Sequence, residues 1–270
     1  MQPGKPTVQG TLVDVASKLT QENVQVHGSG RTDAGVHALG QVAHFKTAST
    51  LTAGEFHRAF NALLPASVRV VHAEEVGPNF NSRYDAIAKT YQYRIYRGRV
   101  LSPFERKYVM HDPFPLDISG MSEAATHFEG THDFTSFAAS TGSEELDKDR
   151  VTMRQIFDSR IFVRTGNYFG GNGFLSSVTT RGSGEESNAV AAGDAKVEPD
   201  ELVYVVRGKS FLRYMVRKIV GTLLDVGRGK VRAAEIPELI AARDRARSGA
   251  TAPPQGLYLV SVEYPETWKL

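Results

Sequence analysis

Apolar residues recur at helical spacing in two early stretches of the chain. In TVQGTLVDVASKL (7–19) Val8, Leu12, Val15 and Leu19 share one stripe. In TAGEFHRAFNALLP (52–65) Phe56, Ala59, Phe60 and Leu63 do the same until Pro65 stops the pattern. Around these helices the residues alternate or become β-branched and aromatic, so NVQVH (23–27), QVAHFK (41–46), SVRVVHAEEV (67–76) and KTYQYRIYR (89–97) read as strands. The first part therefore reads α-β-β-α-β-β. Two prolines in HDPFPLD (111–117) interrupt any regular element and mark a boundary, which divides the chain into 1–110 and 111–270. The second part opens with a helix over SGMSEAATHFEG (119–130) and continues with strands over 153–164 and 201–207. Its strongest pattern is KSFLRYMVRKIVGTLLDVG (209–227), where Phe211, Leu212, Met215, Val216, Ile219, Val220, Leu223 and Leu224 form one apolar helical face. A shorter helix at 232–243 and a strand GLYLVSVEY (256–264) close the order. Residues 166–200 are rich in glycine, serine and small residues and read as a flexible insertion.

Composition changes this picture little. The 270 residues are 41% hydrophobic and 23% charged, as in ordinary globular proteins. No apolar run reaches membrane-spanning length, and the start carries no signal-peptide pattern. Cysteine is absent, which excludes disulfides and thiolate metal sites and fits a reducing cytoplasm. A net charge of +2 identifies no partner, but its distribution is informative. Residues 207–232 hold eight Lys/Arg against a single acid, Asp225, and residues 89–108 hold six among Tyr91, Tyr93, Tyr96, Phe104 and Tyr108. Basic clusters interleaved with aromatics suit a nucleic-acid surface, and they equally suit a solvated basic face.

The candidate chemistry lies in HGSGRTDAGVHALGQVAHF (27–45). Four glycines, Gly28, Gly30, Gly35 and Gly40, surround Arg31, Thr32, Asp33 and His37. The stretch lacks the lysine and the spacing of a phosphate-binding P-loop. It runs on to a second strand, whereas a dinucleotide fingerprint opens a helix. His27, Asp33, His37 and His44 offer metal-ligand chemistry, but their spacing sets no coordination geometry, and hydrogen-bonded histidines account for them as well. On pattern alone Asp33 is a turn aspartate that bonds local backbone amides.

The whole segment, however, closely resembles the signature of the TruA family of tRNA pseudouridine synthases. TVQG in the first helix, KTYQYRIY, FLRYMVRKIVGTLLDVGRGK and APPQGLYLVSVEYP resemble the same family in the same order. The resemblance covers nearly the whole chain except 166–200. It implies an α+β fold of two ferredoxin-like (RRM-like) halves, whose antiparallel sheets form a pseudouridine-synthase core with a central cleft. It also implies isomerisation of uridine to pseudouridine at positions 38, 39 and 40 of the tRNA anticodon stem-loop. The expected enzyme is a cytoplasmic homodimer that acts on tRNA, with no membrane partner, cofactor or metal.

By the same resemblance Asp33 is the catalytic aspartate and Arg217 its partner, and a cation so placed favours an ionised carboxylate. Tyr91 stacks on the flipped base and is available for proton transfer. Arg31 helps to turn the base out of its stack, a step that chemistry on a helical base requires. Leu257 forms an apolar wall. On their own pattern Arg217 is a solvated helix arginine, and Tyr91 and Leu257 are core residues. Family members begin with a strand and a tryptophan-bearing segment before the TVQG helix, whereas this chain starts at MQPGKPTVQG, and its only tryptophan is Trp268. We therefore expect a chain truncated at its N-terminus, with unpaired backbone and exposed apolar surface in its first sheet. The alternative that follows is a catalytically inactive tRNA-binding protein.

Overall fold

The structure, a computed structural model, describes residues 7–140, 142, 151–164 and 201–268. The expected insertion at 166–200 and the start of the chain before residue 7 lie outside the described residues. In order, the elements are α1 (Val8–Thr20), β1 (His27–Gly28), β2 (His37–Ala38), β3 (Ala43–His44), α2 (Ala53–Leu63), β4 (Ala88–Tyr96), β5 (Met110–His111), α3 (Ile118–Thr126), β6 (Gly130–Asp133), β7 (Met153–Arg164), β8 (Glu201–Gly208), α4 (Met215–Gly227), α5 (Ile236–Ala241) and β9 (Leu257–Glu263).

The first two helices start where their sequences cap them. The Thr7 hydroxyl accepts from the Gly10 amide, and Thr52 and Glu55 form a reciprocal capping box. Their apolar faces meet over Val15, Ala16, Phe56, Phe60 and Leu64, with Val24, Val26 and Phe45 completing a small core. Two stripe positions differ from the sequence reading. Val8 is exposed because it lies in the first turn, beyond this core, and Leu63 is exposed because Leu64 takes an extended conformation before Pro65 and turns inward instead.

The early strands are also shorter than their patterns. Only His27–Gly28 and Ala43–His44 pair, in a two-stranded antiparallel ladder. Among the described residues 67–76 forms no strand. Its backbone at Val70 is held by a helix side chain, since Asn61 donates to the Val70 carbonyl at 2.7 Å and accepts from its amide at 2.9 Å. A side-chain amide carries both a donor and an acceptor, so it replaces a strand neighbour there.

The larger sheet takes strands from both parts of the chain in the order β2-β9-β4-β8-β7-β6, with β5 added to β4. The β4–β8, β4–β9, β7–β8 and β6–β7 pairs are antiparallel, but β2–β9 and β4–β5 are parallel. The sheet is thus mainly antiparallel, as expected, with two short parallel pairs of two residues each. A parallel pair needs a long crossover, and the chain between β2 and β9 supplies it. α3 and α4 cover one face, and Tyr93, Ile95, Tyr204 and Val206 pack there against Met215, Ile219, Leu223 and Phe128. Each such side chain contributes about 1.5–3 kcal/mol by leaving water.

The long helix begins at Met215 rather than 209. The Lys209 amide donates to the Gln155 carbonyl, and the Arg213 carbonyl accepts from the Ala139 amide, which ties 209–213 to neighbouring elements. Tyr214 then takes a left-handed φ of 65° to enter the helix.

Candidate active site

The loop between β1 and β2 carries Arg31, Thr32 and Asp33 to one edge of the large sheet. At its far end β2 pairs with Tyr258 and Leu259 of β9, and the Leu39 amide donates to the Leu259 carbonyl at 2.8 Å. The turn closes when the Val36 amide donates to the Asp33 carbonyl at 3.1 Å. Gly35 follows with φ +82°, a left-handed conformation that other residues rarely adopt, while the Pro254 ring lies against it. Gly35 therefore serves a tight turn and a close approach to 254, while Gly40 admits the Val260 carbonyl that a Cβ would strike.

Asp33 is 23% exposed and faces two guanidinium groups. Arg217, only 12% exposed, donates through Nη1 to Asp33 Oδ2 at 3.0 Å and through Nε to the Ala252 carbonyl at 2.7 Å. Gly221, one turn further along α4, makes this second bond possible. A Cβ there would collide with the Ala250 carbonyl, so the glycine lets 249–252 lie against the helix. Arg213, 62% exposed, stands 3.9 Å from Asp33 Oδ1. Both guanidiniums lie over the Tyr214 ring, at 4.7 Å for Arg213 and 5.0 Å for Arg217, and cation–π attraction supports each.

Tyr91 projects from β4 beside this pair, and its ring meets Phe211 edge-on at 5.1 Å. Burial, and next the charge of Asp33, push its phenol up to about 12. It therefore stays a neutral hydrogen-bond donor throughout ordinary pH. Tyr93 donates to the Pro253 carbonyl at 2.7 Å, and burial raises its phenol too, against the opposing effect of Arg217. Leu257 is buried opposite Tyr93 in the apolar cluster that includes Tyr91, Phe211 and Val36.

Asp33, Arg217 and Tyr91 thus converge from three separate parts of the chain, with Leu257 in the apolar layer beneath. Arg31 does not join them. It is exposed on the loop, and among the described residues it makes no ion pair or hydrogen bond. Sequence reasoning missed Arg213 and Tyr214 beside the carboxylate, and Lys89, whose Nζ donates to the Ser29 carbonyl of the same loop. Lys89 was legible by alternation, two residues before Tyr91 on the same strand face. Arg213 was not, since its approach depends on the left-handed turn at Tyr214.

The histidines of the loop have other partners. His37 Nε2 shares a hydrogen bond with the Lys107 carbonyl at 2.7 Å, and its ring stacks on Tyr258 at 4.8 Å. His44 Nδ1 bonds to Ser82 Oγ at 2.8 Å and stacks on His27, and burial, followed by the nearby His27, lowers its pKa. His37 thereby ties the basic segment 99–108 to the strand beside Asp33. Of the six basic residues at 89–108, Arg94 is buried on Glu201 and Arg97 is buried in the fold, whereas Arg99, Arg106 and Lys107 face solvent.

Asp33 is thus held by two arginines next to a neutral phenol on the sheet. The model of the tRNA pseudouridine synthase family matches residues 1–85 and 124–265, and the chain belongs to that family. It is similar to the tRNA pseudouridine synthase A of Solibacter usitatus, with 44% identity over 98% of this chain and 92% of the relative. The proteins of the same name from Caldicellulosiruptor saccharolyticus and Latilactobacillus sakei are 38% and 36% identical, over 97% and 98% of this chain and 92% of each relative.

Proposed function

We propose that this chain isomerises uridine to pseudouridine at positions 38, 39 and 40 of the tRNA anticodon stem-loop, with Asp33 as the catalytic carboxylate. The observation that carries the reading is the Asp33–Arg217 contact at 3.0 Å in a loop that matches the family signature. The reaction breaks the bond from ribose C1′ to uracil N1 and makes one from C1′ to C5. The C5 hydrogen leaves as a proton and N1 acquires one, so neither water nor a redox partner is consumed. One carboxylate suffices because the leaving base is also the group that returns, unlike a glycosidase, which must also activate water.

In this reading Arg217 orients the carboxylate by holding Oδ2, which leaves Oδ1 toward the open side where Arg213 stands. Tyr91 stacks on the extruded base and offers a neutral hydroxyl to it. Arg31, free on the loop, occupies the space that the base vacates, and Leu257 walls the apolar side. Exposed cations at 99–107 position the phosphates without reading sequence, whereas Arg228, Lys230 and Arg232 are paired with Asp112, Asp225 and Glu235. In this reading 1–110 and 111–270 are ferredoxin-like halves; the small core lies wholly in the first part, while the large core joins Tyr93 and Ile95 of the first part to residues of the second. The enzyme is a cytoplasmic homodimer, and sedimentation with and without tRNA tests that state.

The decisive assay is tritium release from tRNA labelled at uracil C5, with the parent chain and Asp33→Ala. Release by the parent alone, with tRNA affinity retained in the variant, is the expected result. Release by both would remove Asp33 from the mechanism, and release by neither would leave a tRNA-binding protein.

A further inference from the structure

Two side chains from different elements grip the backbone just ahead of Arg31. Lys89, at the start of β4, donates from Nζ to the Ser29 carbonyl at 2.5 Å. Gln41, at the far end of the loop, donates from Nε2 to the Gly30 carbonyl at 3.0 Å, while its Oε1 accepts from Ser29 Oγ at 2.5 Å. Ser29 is fully buried and its amide donates to Val42, so its peptide is anchored on three sides. Gly30 leaves the amine room, since a Cβ there would sit 3.3 Å from Lys89 Nζ.

This lysine is costly to keep in place. Burial, and next the charge of Arg83, lower its pKa, and among the described residues it forms no ion pair. Its acceptor is an uncharged carbonyl, so the bond returns less than a carboxylate partner would. Stability alone would be served as well by a neutral donor. The position has a different advantage. Strand alternation puts Lys89 and Tyr91 on one face of β4, so the strand that presents Tyr91 also holds the peptides leading to Arg31 and Asp33.

We infer that Lys89, assisted by Gln41, is a positioning residue that fixes the peptides at Ser29 and Gly30 and thereby sets Asp33 against Arg217 and Tyr91. This rests on the reading of Asp33 as the catalytic carboxylate. The clamp registers the loop against β4, so the carboxylate and the phenol keep one separation when RNA presses on the loop.

The test compares the parent chain with Lys89→Met, Lys89→Arg, Gln41→Glu and Asp33→Ala. Single-turnover tritium release from C5-labelled tRNA, tRNA affinity and the melting midpoint are measured for each. Because a displacement of about 1 Å at reacting groups costs on the order of a hundredfold, Lys89→Met is expected to slow the step about tenfold to a hundredfold. Affinity and melting stay at the parent values, and Lys89→Arg recovers most of the rate. Gln41→Glu, which keeps the acceptor and loses the donor, slows the step too, and a protein carrying both Lys89→Met and Gln41→Glu loses less than the two effects combined. Parental rates in Lys89→Met or Gln41→Glu, with Asp33→Ala inactive, overturn the clamp and spare the carboxylate. A rate loss matched by weaker tRNA binding or by a lower melting midpoint also overturns it, in favour of a phosphate contact or a packing role. Should Lys89→Met fail to fold, Gln41→Glu decides the matter alone. Turnover by Asp33→Ala defeats the underlying reading instead.

Discussion

Arg217 has two acceptors, and its rigid fork satisfies both. Nη1 reaches Asp33 and Nε reaches the Ala252 carbonyl, so the carboxylate is oriented relative to the backbone of another loop. A lysine is a point charge on a flexible stem and does not bridge the two in a fixed plane. Arg217→Lys is therefore expected to retain the fold but to lose turnover by about a hundredfold, checked by single-turnover rates beside a melting curve. Tyr91 makes a second test at this scale. Its phenol titrates near 10.0 in the unfolded chain and at about 12 in the fold, so between those values only the unfolded state gives up the proton. Stability then falls as pH rises through that window and is insensitive to this group below it. Urea midpoints at about pH 9 and about pH 11 should fall less steeply for Tyr91→Phe than for the parent chain. Other buried tyrosines add to the slope, which is why the difference between the two proteins is the measurement.

Among the elements, α4 is the one on which core and site both depend. Its buried face holds the sheet, its first turn delivers Arg217, and its glycine admits the segment that orients that arginine. Gly221→Ala must push back the Ala250 carbonyl, an overpacking expected to cost about 1–3 kcal/mol. The same displacement moves Ala252 away from Arg217, so activity should fall by more than the loss of stability explains; thermal melting and tritium release together check this. The helix itself was legible from its period. The start of the helix was not, because the amide of Lys209 and the carbonyl of Arg213 are used by other parts of the fold. The strands at 67–76 and 23–27 failed for the same kind of reason. Alternation identifies residues suited to a strand, while pairing needs a neighbour, and at Val70 a side chain of α2 takes that role.

For the whole molecule, the large sheet brings distant parts of the chain to one edge. β9 pairs with β2 on one side and β4 on the other, so the end of the chain lies between the aspartate loop and the Tyr91 strand. The basic segment 99–108 reaches the same edge through His37 and through Tyr258, whose hydroxyl donates to the Tyr108 carbonyl at 2.5 Å. Charge counted along the sequence overstates what this surface offers. Arg94 is spent on Glu201, Arg207 on Glu263 and Arg217 on Asp33. Binding to tRNA should weaken with salt through the cations that remain outside. Replacing Arg106 or Lys107 by alanine should lower the slope of log affinity against log salt by about one each while leaving single-turnover chemistry intact. Affinity measured across a salt series, with turnover at saturation, distinguishes this from a catalytic effect.

The sequence by itself determined the helices, the longer strands, the apolar face of α4 and the residues worth watching. Those features arise from local periodicity and from motifs that lie within a few residues. It carried Asp33 and Arg217 as candidates through resemblance, although nothing in their own surroundings separated them from a turn residue and a solvated arginine. The tertiary structure alone decided that they meet at 3.0 Å across 184 positions of chain, that Arg213 joins them, and that Lys89 and Gln41 hold the loop from either side. Contacts of that kind depend on which strands become neighbours in the sheet. That order is set by the packing of the whole core, and no short stretch of sequence contains it.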